Sequence, residues 1–278
     1  MNRPLQEYHR PTDAKRASSL LERISTETFP LYIAPCPTAV HERSFEAVVD
    51  LSALNLEYIR VNDDDADGYI RIGALTTLSQ LTGSSLLISY ACGLLPQAAR
   101  LAGHHGLRNI ANVGGVLTSS QGPPEVLLAL MVLDATIVFN DNSFVSAQLL
   151  ETSDHRGKFI TEIRLPHKRA HTALQRVART PMDEAIVAVA AAVYREDNLV
   201  KGVRLALSGV TSTPRRFPSV EELLTKPVYD DAVHKALMTV ISPVPDYRGS
   251  IDYRREMAAV LTRRALAIAT QDYELSTN

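Results

Sequence analysis

The stretch Leu107-Arg-Asn-Ile-Ala-Asn-Val-Gly-Gly-Val-Leu-Thr-Ser-Ser120 lies between a helix-like run and an apolar run. Its paired glycines, Gly114 and Gly115, have no Cβ, so the backbone can adopt a positive φ and another group can approach its N–H donors. Successive N–H groups in such a turn form a concave anion-binding nest. Small hydroxyl side chains follow at Thr118, Ser119 and Ser120. The pattern fits either a phosphate-holding loop or a tight turn between packed elements, because a Gly-Gly pair alone does not separate the two.

Composition indicates a globular protein that buries a core. Hydrophobic residues make up 45% of the 278 residues, and the formal net charge is −2 with no basic face, so nucleic acid is not expected as a partner. The longest apolar runs, such as 126–135, are shorter than the ~20 residues of a membrane span, and the N-terminus has no apolar signal core. The two cysteines, Cys36 and Cys92, cannot by themselves hold an iron–sulfur cluster. We therefore expect a cytoplasmic protein without a membrane partner.

Hydrophobic periodicity predicts a chain of mixed helices and strands. Helices are predicted at 14–24, from 76, and at 94–102, 125–133, 230–242 and 250–270, with one more after the capping box Ser219-Val-Glu-Glu222. Strands are predicted at 31–34, 45–51, 56–61, 69–74, 135–139, 143–145, 159–165, 172–177, 185–194 and 199–209. The alanine-rich run 188–192 has a high helix propensity, but the following turn and alternation favour a strand.

Two stretches contain residue types that bind metals. The loop 62–68 matches the first half of an EF-hand loop, but Ala74 stands where a bidentate glutamate is required. His104 and His105 are adjacent, so they do not share a face, and no Cys, Asp or Glu lies near them in the sequence. We interpret the loop as a solvated hairpin turn and the histidines as surface residues at a helix terminus, and we predict no metal site.

Motifs that mark catalytic machinery are absent from the sequence. No G-x-S-x-G, H-E-x-x-H, P-loop or G-x-G-x-x-G occurs, and the carboxylates are scattered. We therefore predict no catalytic residue. If the chain belongs to an enzyme, a cofactor carries the chemistry and the protein binds and orients it.

Short motifs follow one another in a defined order along nearly the whole chain. They are Tyr8-His-Arg-Pro11, Val48-Val-Asp-Leu51, Ile72-Gly-Ala-Leu-Thr-Thr77, 107–115, Leu127-Leu-Ala-Leu130, Ile163-Arg-Leu-Pro166, Ser208-Gly-Val210, Pro214-Arg215, Asp252-Tyr-Arg-Arg255 and Arg264-Ala-Leu266. As an ordered set they resemble the FAD-binding medium subunit of the molybdenum hydroxylase family, which includes the xanthine and carbon monoxide dehydrogenases.

The resemblance implies an α+β chain. It has a PCMH-type FAD-binding fold of two α/β subdomains, at 1–55 and 56–167, and a C-terminal domain of a three-stranded sheet and helices at 168–278. The resemblance also implies FAD as the cofactor. The implied partners are a molybdopterin-bearing large subunit and a small subunit with iron–sulfur clusters. The implied role is to pass electrons from those clusters to an acceptor.

The resemblance further implies two loops that hold the FAD pyrophosphate. The first corresponds to the stretch 34–38, where the family pattern has two glycines that this chain lacks. Pro35 and Pro37 in that stretch have no N–H to donate. Each lost charge-assisted hydrogen bond costs about 1.5–3 kcal/mol, so losing two weakens binding by roughly 10² to 10⁴.

The second implied loop keeps both of its glycines. The cofactor-binding residues carried over from the two loops are Ala34, Cys36, Thr38, Asn112, Val113, Gly114, Gly115, Ser119 and Ser120. The changes in the first loop leave one alternative open, a flavin-free structural or assembly relative that has lost FAD binding.

Overall fold

The computed structural model describes residues 6–23, 28–31, 47–61, 68–119, 124–152, 157–181, 183–196, 199–224 and 230–276. The chain forms two compact units. The first unit consists of Met1–Leu81, Gly103–Gly122 and Ala135–His167, and the second consists of Thr82–Ala102, Pro123–Asp134 and Lys168–Asn278.

A parallel three-stranded sheet forms the start of the first unit. Its order is β1-β3-β2, with β1 at Glu7–His9, β2 at Thr28–Leu31 and β3 at Ala47–Asp50. Helix α1 (Ala14–Arg23) buries Ala17 and Leu21 together with Val49 of β3, since residues four apart lie on one helix face. The helix predicted at 14–24 is therefore confirmed. The strand predicted at 31–34 is placed too late, and 32–34 lie outside the described residues.

An antiparallel five-stranded sheet completes the first unit. Its order is β4-β5-β8-β6-β7, and the strands are β4 Ile59–Val61, β5 Tyr69–Gly73, β6 Thr136–Phe139, β7 Phe144–Ser146 and β8 Ile160–Pro166. The hairpin predicted around the aspartate-rich loop is confirmed by the pairing of β4 with β5, although residues 62–67 lie outside the described residues, and the strands β6 and β7 form another hairpin. Ile72 and Ile163 are paired on the buried face. On the opposite face Arg71 and Arg164 are cross-strand neighbours, and Glu162 forms ion pairs with both.

The second unit is built around an antiparallel sheet of order β12-β11-β10-β9. Its strands are β9 Ala170–Val177, β10 Val187–Glu196, β11 Leu199–Ser208 and β12 Arg215–Arg216. Helix α2 lies at Leu78–Gly83. The described helices of the second unit are α3 Ser85–Ser89, α4 Leu94–Leu101, α7 Glu125–Val132, α8 Pro218–Leu224, α9 Asp230–Val240 and α10 Ile251–Ser276. The three long strands agree with the expected three-stranded sheet, and the two-residue β12 adds a fourth.

The alanine-rich run 188–192 is a strand because both of its faces are buried. Val189 and Ala191 pack in one core with Leu261 of α10. The alternate alanines are also fully buried, and the next residue of that face, Tyr194, donates a hydrogen bond to the carbonyl of Val132 at 2.7 Å. Small side chains on this face let α7 approach the sheet, so tertiary packing overrides helix propensity.

One predicted helix start is wrong. Ser219 lies inside α8, which begins at Pro218, so the predicted capping box does not form. Proline is well suited to a first helical position because it needs no N–H partner there. The neighbouring carboxylate of Glu221 instead accepts a hydrogen bond from the N–H of Leu205 at 2.9 Å and ties α8 to β11.

Candidate cofactor site

The glycine pair lies in a helix that the sequence did not predict. Helix α6 spans Val113–Thr118, and neither glycine has a positive φ. Asn112 is the N-cap, with extended φ and ψ of −118° and 165°, and its Oδ1 accepts a hydrogen bond from the N–H of Gly115 at 2.8 Å. Asparagine is a preferred N-cap because its side chain satisfies one of the unpaired N–H groups of the first turn. The predicted turn with positive φ is therefore wrong.

The backbone amides of this first turn are all used within the protein. Residues 112–117 are buried. The donor and acceptor pairs are Val113 N–H to Thr76 O at 3.0 Å, Gly114 N–H to Ala74 O at 2.8 Å, Gly115 N–H to Asn112 Oδ1 at 2.8 Å and Val116 N–H to Asn112 O at 3.1 Å. An N–H that donates inside the fold must share or give up that bond before it can donate to a phosphate. The predicted anion-binding nest is therefore not formed by the amides of 113–116.

Two motifs of the ordered set meet at this helix start. Residues 74–78 run beside 111–114, with Leu78 N–H donating to Ala111 O at 2.9 Å and an isolated bridge between Thr77 and Asn112. At the other end of the first motif, a Cβ on Gly73 would lie 2.2 Å from the carbonyl oxygen of Leu56. Gly73 thus allows close backbone packing against Leu56, next to the segment that pairs with the start of α6.

The remaining predicted site residues are only partly described. Ser119 is half-buried at the C-cap of α6, next to the exposed Thr118, whose hydroxyl donates to the carbonyl of Gly114 at 2.8 Å. The other four, Ala34, Cys36, Thr38 and Ser120, lie outside the described residues. The structure therefore brings Asn112, Val113, Gly114, Gly115 and Ser119 together on one short helix and its caps.

One of the two adjacent histidines caps a helix. His104 is the N-cap of α5 (His105–Arg108), and its Nδ1 accepts a hydrogen bond from the N–H of Leu107 at 3.2 Å. Both histidines are exposed, so their interpretation as surface residues at a helix terminus is confirmed. Across the described ranges, no group of three or more His, Cys, Asp or Glu side chains is placed to hold a metal ion.

A buried carboxylate in the second unit was missed by sequence reasoning. Glu125 is the first residue of α7 and is completely buried. Burial raises the pKa of its carboxyl group, although the Arg176 guanidinium nitrogen, 3.3 Å away, acts in the opposite direction. Neither carboxylate oxygen has a hydrogen-bond partner among the described residues, and the same holds for the buried hydroxyl of Ser208.

Ser208 and Arg176 lie in one row of the sheet, both paired with Ala188. A buried carboxylate with a perturbed pKa is a functional candidate. The sequence feature that could have revealed Glu125 is an acidic residue, preceded by Pro-Pro, at the start of an otherwise apolar helix.

Comparison with known proteins identifies the family. Residues 4–168 match the FAD binding domain in molybdopterin dehydrogenase, and residues 172–269 match the CO dehydrogenase flavoprotein C-terminal domain. The first match covers more than half of the chain, so the chain belongs to this family of FAD-binding proteins. The ordered motifs of the sequence had indicated the same family.

Individual relatives span most of the chain. The glyceraldehyde dehydrogenase medium chain of Sulfolobus acidocaldarius is 29% identical over 78% of this chain and 81% of its own length. The carbon monoxide dehydrogenase medium chain of Hydrogenophaga pseudoflava is 26% identical over 96% of this chain and 97% of its own length. In a solved carbon monoxide dehydrogenase structure from that organism, one chain superposes with a TM-score of 0.84, covering 98% of this chain and 99% of that one at 24% identity. That likeness confirms the α+β fold.

The backbone amides of the glycine pair donate within the fold in this structure, and their contact with FAD stays a prediction. Among the described residues that were predicted to contact the pyrophosphate, only Ser119, at the end of α6, is not buried. In the part of the chain that is described, no helix combines the length and hydropathy needed to cross a membrane.

Proposed function

We propose that this chain is the FAD-binding electron-transfer subunit of a molybdopterin-dependent dehydrogenase or hydroxylase. It passes electrons from iron–sulfur clusters to an acceptor, in complex with a molybdopterin-bearing large subunit and an iron–sulfur small subunit. The observation that carries this proposal is that the FAD-binding match and the flavoprotein C-terminal match follow one another over 4–269 with almost no gap. A cytoplasmic location belongs to the same proposal.

The names of the relatives support the multi-subunit role. They include a nicotine 6-hydroxylase medium subunit and a xanthine dehydrogenase FAD-binding subunit. The comparisons do not favour a flavin-free relative. A bound flavin would supply the one- and two-electron chemistry, and the chain itself would bind it and orient it.

Within this proposal, the pyrophosphate contacts belong to Ser119, Ser120 and the first-loop residues. Those first-loop residues are Ala34, Cys36 and Thr38. The helix start from Asn112 to Gly115 contributes by holding the second loop in place, since its amides are bound to the fold. With this assignment we expect FAD to bind more weakly than it would to two glycine loops, because Pro35 and Pro37 have no backbone N–H to donate.

Flavin titration of the purified full-length chain tests the function. We expect flavin absorbance to remain with the protein after reconstitution with FAD and removal of free cofactor. The same measurement is made after co-expression with a molybdopterin-bearing large subunit and an iron–sulfur small subunit from the same organism. Protein that retains no flavin in either preparation contradicts the proposal and leaves the flavin-free alternative.

A pair of neighbouring hydroxyl variants tests the site. Ser119→Ala should weaken FAD binding about three- to tenfold if its hydroxyl contacts the pyrophosphate. Thr118→Ala is the matched control, because the hydroxyl of Thr118 donates to the carbonyl of Gly114 within α6. If both variants bind FAD with the same affinity as the wild type, the Ser119 hydroxyl does not contact the pyrophosphate, and the family assignment is unaffected.

A further inference from the structure

The carboxyl ends of the three parallel strands of the first unit meet at one edge of their sheet. Strand β3 lies between β1 and β2, and both pair with it in parallel register. Ligands of open α/β sheets bind in the crevice outside the carboxyl ends of the strands. At this edge Arg10 follows β1 directly, and Ser52 is two residues beyond the end of β3.

The side chain of Arg10 extends from the end of β1 to the end of the central strand. Its Nε donates a hydrogen bond to the hydroxyl of Ser52 at 3.0 Å. Because adjacent strands lie about 4.8 Å apart, this contact places the guanidinium group about one strand spacing from the carboxyl end of β2. The stretch 34–38, which is predicted to contact the FAD pyrophosphate, begins three residues after β2 ends at Leu31.

Asp50 holds this arrangement in place. Its Oδ1 accepts a hydrogen bond from the Ser52 N–H at 2.8 Å, and its Oδ2 accepts one from the hydroxyl of Tyr8. The distance from Oδ2 to Arg10 Nε is 3.7 Å, which is beyond hydrogen-bond distance. The Asp50 side chain is 14% exposed and that of Arg10 is 60% exposed, so the guanidinium group rather than the carboxylate is accessible to a ligand.

The two Nη groups of Arg10 are available to an anion. Neither of them forms a hydrogen bond or an ion pair with a described residue, since the contacts of this side chain are made through Nε. A planar guanidinium group pairs with two phosphate oxygens at once, and such charge-assisted hydrogen bonds are about twice as strong as neutral ones. Arg10 can therefore supply donors that Pro35 and Pro37 do not.

From this geometry we infer that Arg10 binds the pyrophosphate of FAD. Its side chain replaces part of the backbone donors that the first loop has lost, and Ser52 and Asp50 orient it. The inference rests on the proposed function, and it adds a phosphate-binding residue that lies outside both predicted loops.

Comparison of FAD with riboflavin tests this inference, because riboflavin has the same ring system and no phosphate. Arg10→Gln in the full-length chain should weaken FAD binding at least about tenfold and leave riboflavin binding unchanged. Arg10→Lys keeps the charge without the planar fork, so its FAD affinity should lie between those of Arg10→Gln and the wild type. Arg16→Gln, at an exposed position of α1, is the matched control and should bind FAD as the wild type does. Fluorescence quenching of each flavin measures the dissociation constants.

Circular dichroism and thermal unfolding establish that each variant is folded. If the wild type and Arg10→Gln bind FAD equally well, the role of Arg10 is overturned and the proposed function stands. Equal losses of FAD and riboflavin affinity in Arg10→Gln also overturn it, because the effect would then not involve phosphate. A wild type that binds no FAD overturns the inference together with the proposed function.

Discussion

The Oδ1 of Asn112 accepts a hydrogen bond from the N–H of Gly115 at 2.8 Å, and this bond closes the first turn of α6. One of the N–H groups that a helix N-terminus leaves without an intrahelical partner is therefore satisfied by a side chain. The glycine pair is thereby tied to the fold on one side by Asn112 and on the other by the carbonyl of Ala74.

Removing the Asn112 cap should destabilise the chain. Asn112→Ala loses the acceptor for the Gly115 N–H, and we expect the free energy of unfolding to fall by about 1 kcal/mol, within the range of N-cap replacements. Urea unfolding followed by circular dichroism measures this change. Asn112→Ser is the control, because serine is also a preferred N-cap acceptor and introduces no charge at this buried position. A loss in Asn112→Ser as large as that in Asn112→Ala would contradict the stabilisation assigned to the cap bond.

The buried carboxyl of Glu125 should make stability depend on pH. Burial raises its folded-state pKa above the ordinary value of 4.5, so the folded chain binds this proton more tightly than the unfolded chain. The contribution of the protonated Glu125 carboxyl to the free energy of unfolding is complete below pH 4.5 and is lost as the pH rises through the raised pKa. We expect the free energy of unfolding of wild type to fall relative to Glu125→Gln over that interval. Unfolding curves collected from pH 4.5 to neutrality measure the difference.

Removal of a carboxylate elsewhere should not reproduce this effect. Glu22→Gln, at an exposed position of α1, provides the control. If Glu125→Gln and wild type show the same dependence on pH, then Glu125 is not the group that titrates.

Sequence reasoning found most of the fold because its signals are local. The hairpin of β4 and β5 and the helix α1 follow from alternation and periodicity within single elements. The helix α6 was missed because paired glycines have low helix propensity, and its stability comes from contacts with Ala74 and Thr76, distant in sequence. The three-way domain division at 55 and 167 stays a prediction.

The candidate site was harder to predict than the fold. Whether an amide faces a ligand or another carbonyl depends on tertiary pairing, which no local pattern reports. The acceptor of the Gly114 N–H is 40 residues away, at Ala74. Glu125 was missed for a related reason, since its burial depends on the packing of α7 against the sheet and on Arg176 of β9.

Gly209 should tolerate no side chain. Its φ is +76°, and a Cβ would lie 2.0 Å from the carbonyl oxygen of Ile186, which also accepts a hydrogen bond from the buried Arg254. Gly209→Ala should therefore lower the free energy of unfolding by about 3 kcal/mol or more. Gly202→Ala is the matched control in β11, because its Cβ would approach only the flexible end of Arg204, at 3.2 Å. Thermal unfolding should separate the two variants, and equal midpoints would contradict the steric argument.

The hydroxyl of Tyr58 should stabilise the first unit. It donates to Oε2 of Glu162 at 2.9 Å, and burial together with that carboxylate raises the pKa of Tyr58 to about 12. The contribution of the protonated Tyr58 hydroxyl to the free energy of unfolding is complete below its ordinary pKa of 10.0 and is lost as the pH rises through about 12. Tyr58→Phe should therefore cost about 1 kcal/mol at neutral pH, with a difference that shrinks above pH 10. Denaturant unfolding at several pH values measures both effects.

A tyrosine on the neighbouring strand β5 gives the comparison. Tyr69 of β5 makes no side-chain hydrogen bond with a described residue, so Tyr69→Phe should leave the free energy of unfolding nearly unchanged. A cost for Tyr69→Phe equal to that of Tyr58→Phe would assign the effect to loss of a hydroxyl in general.

Restoring glycine in the first loop should strengthen flavin binding. Pro35→Gly returns a backbone N–H donor, and Cys36→Gly returns the conformational freedom that the family pattern has at this position. One recovered charge-assisted hydrogen bond is worth about 1.5–3 kcal/mol, so the double variant should bind FAD at least about tenfold more tightly. Fluorescence quenching of FAD on titration with protein measures the dissociation constant. Pro245→Gly, in an exposed segment of the second unit, controls for the general effect of removing a proline. An affinity equal to that of wild type would mean that the prolines are not what limits the first loop.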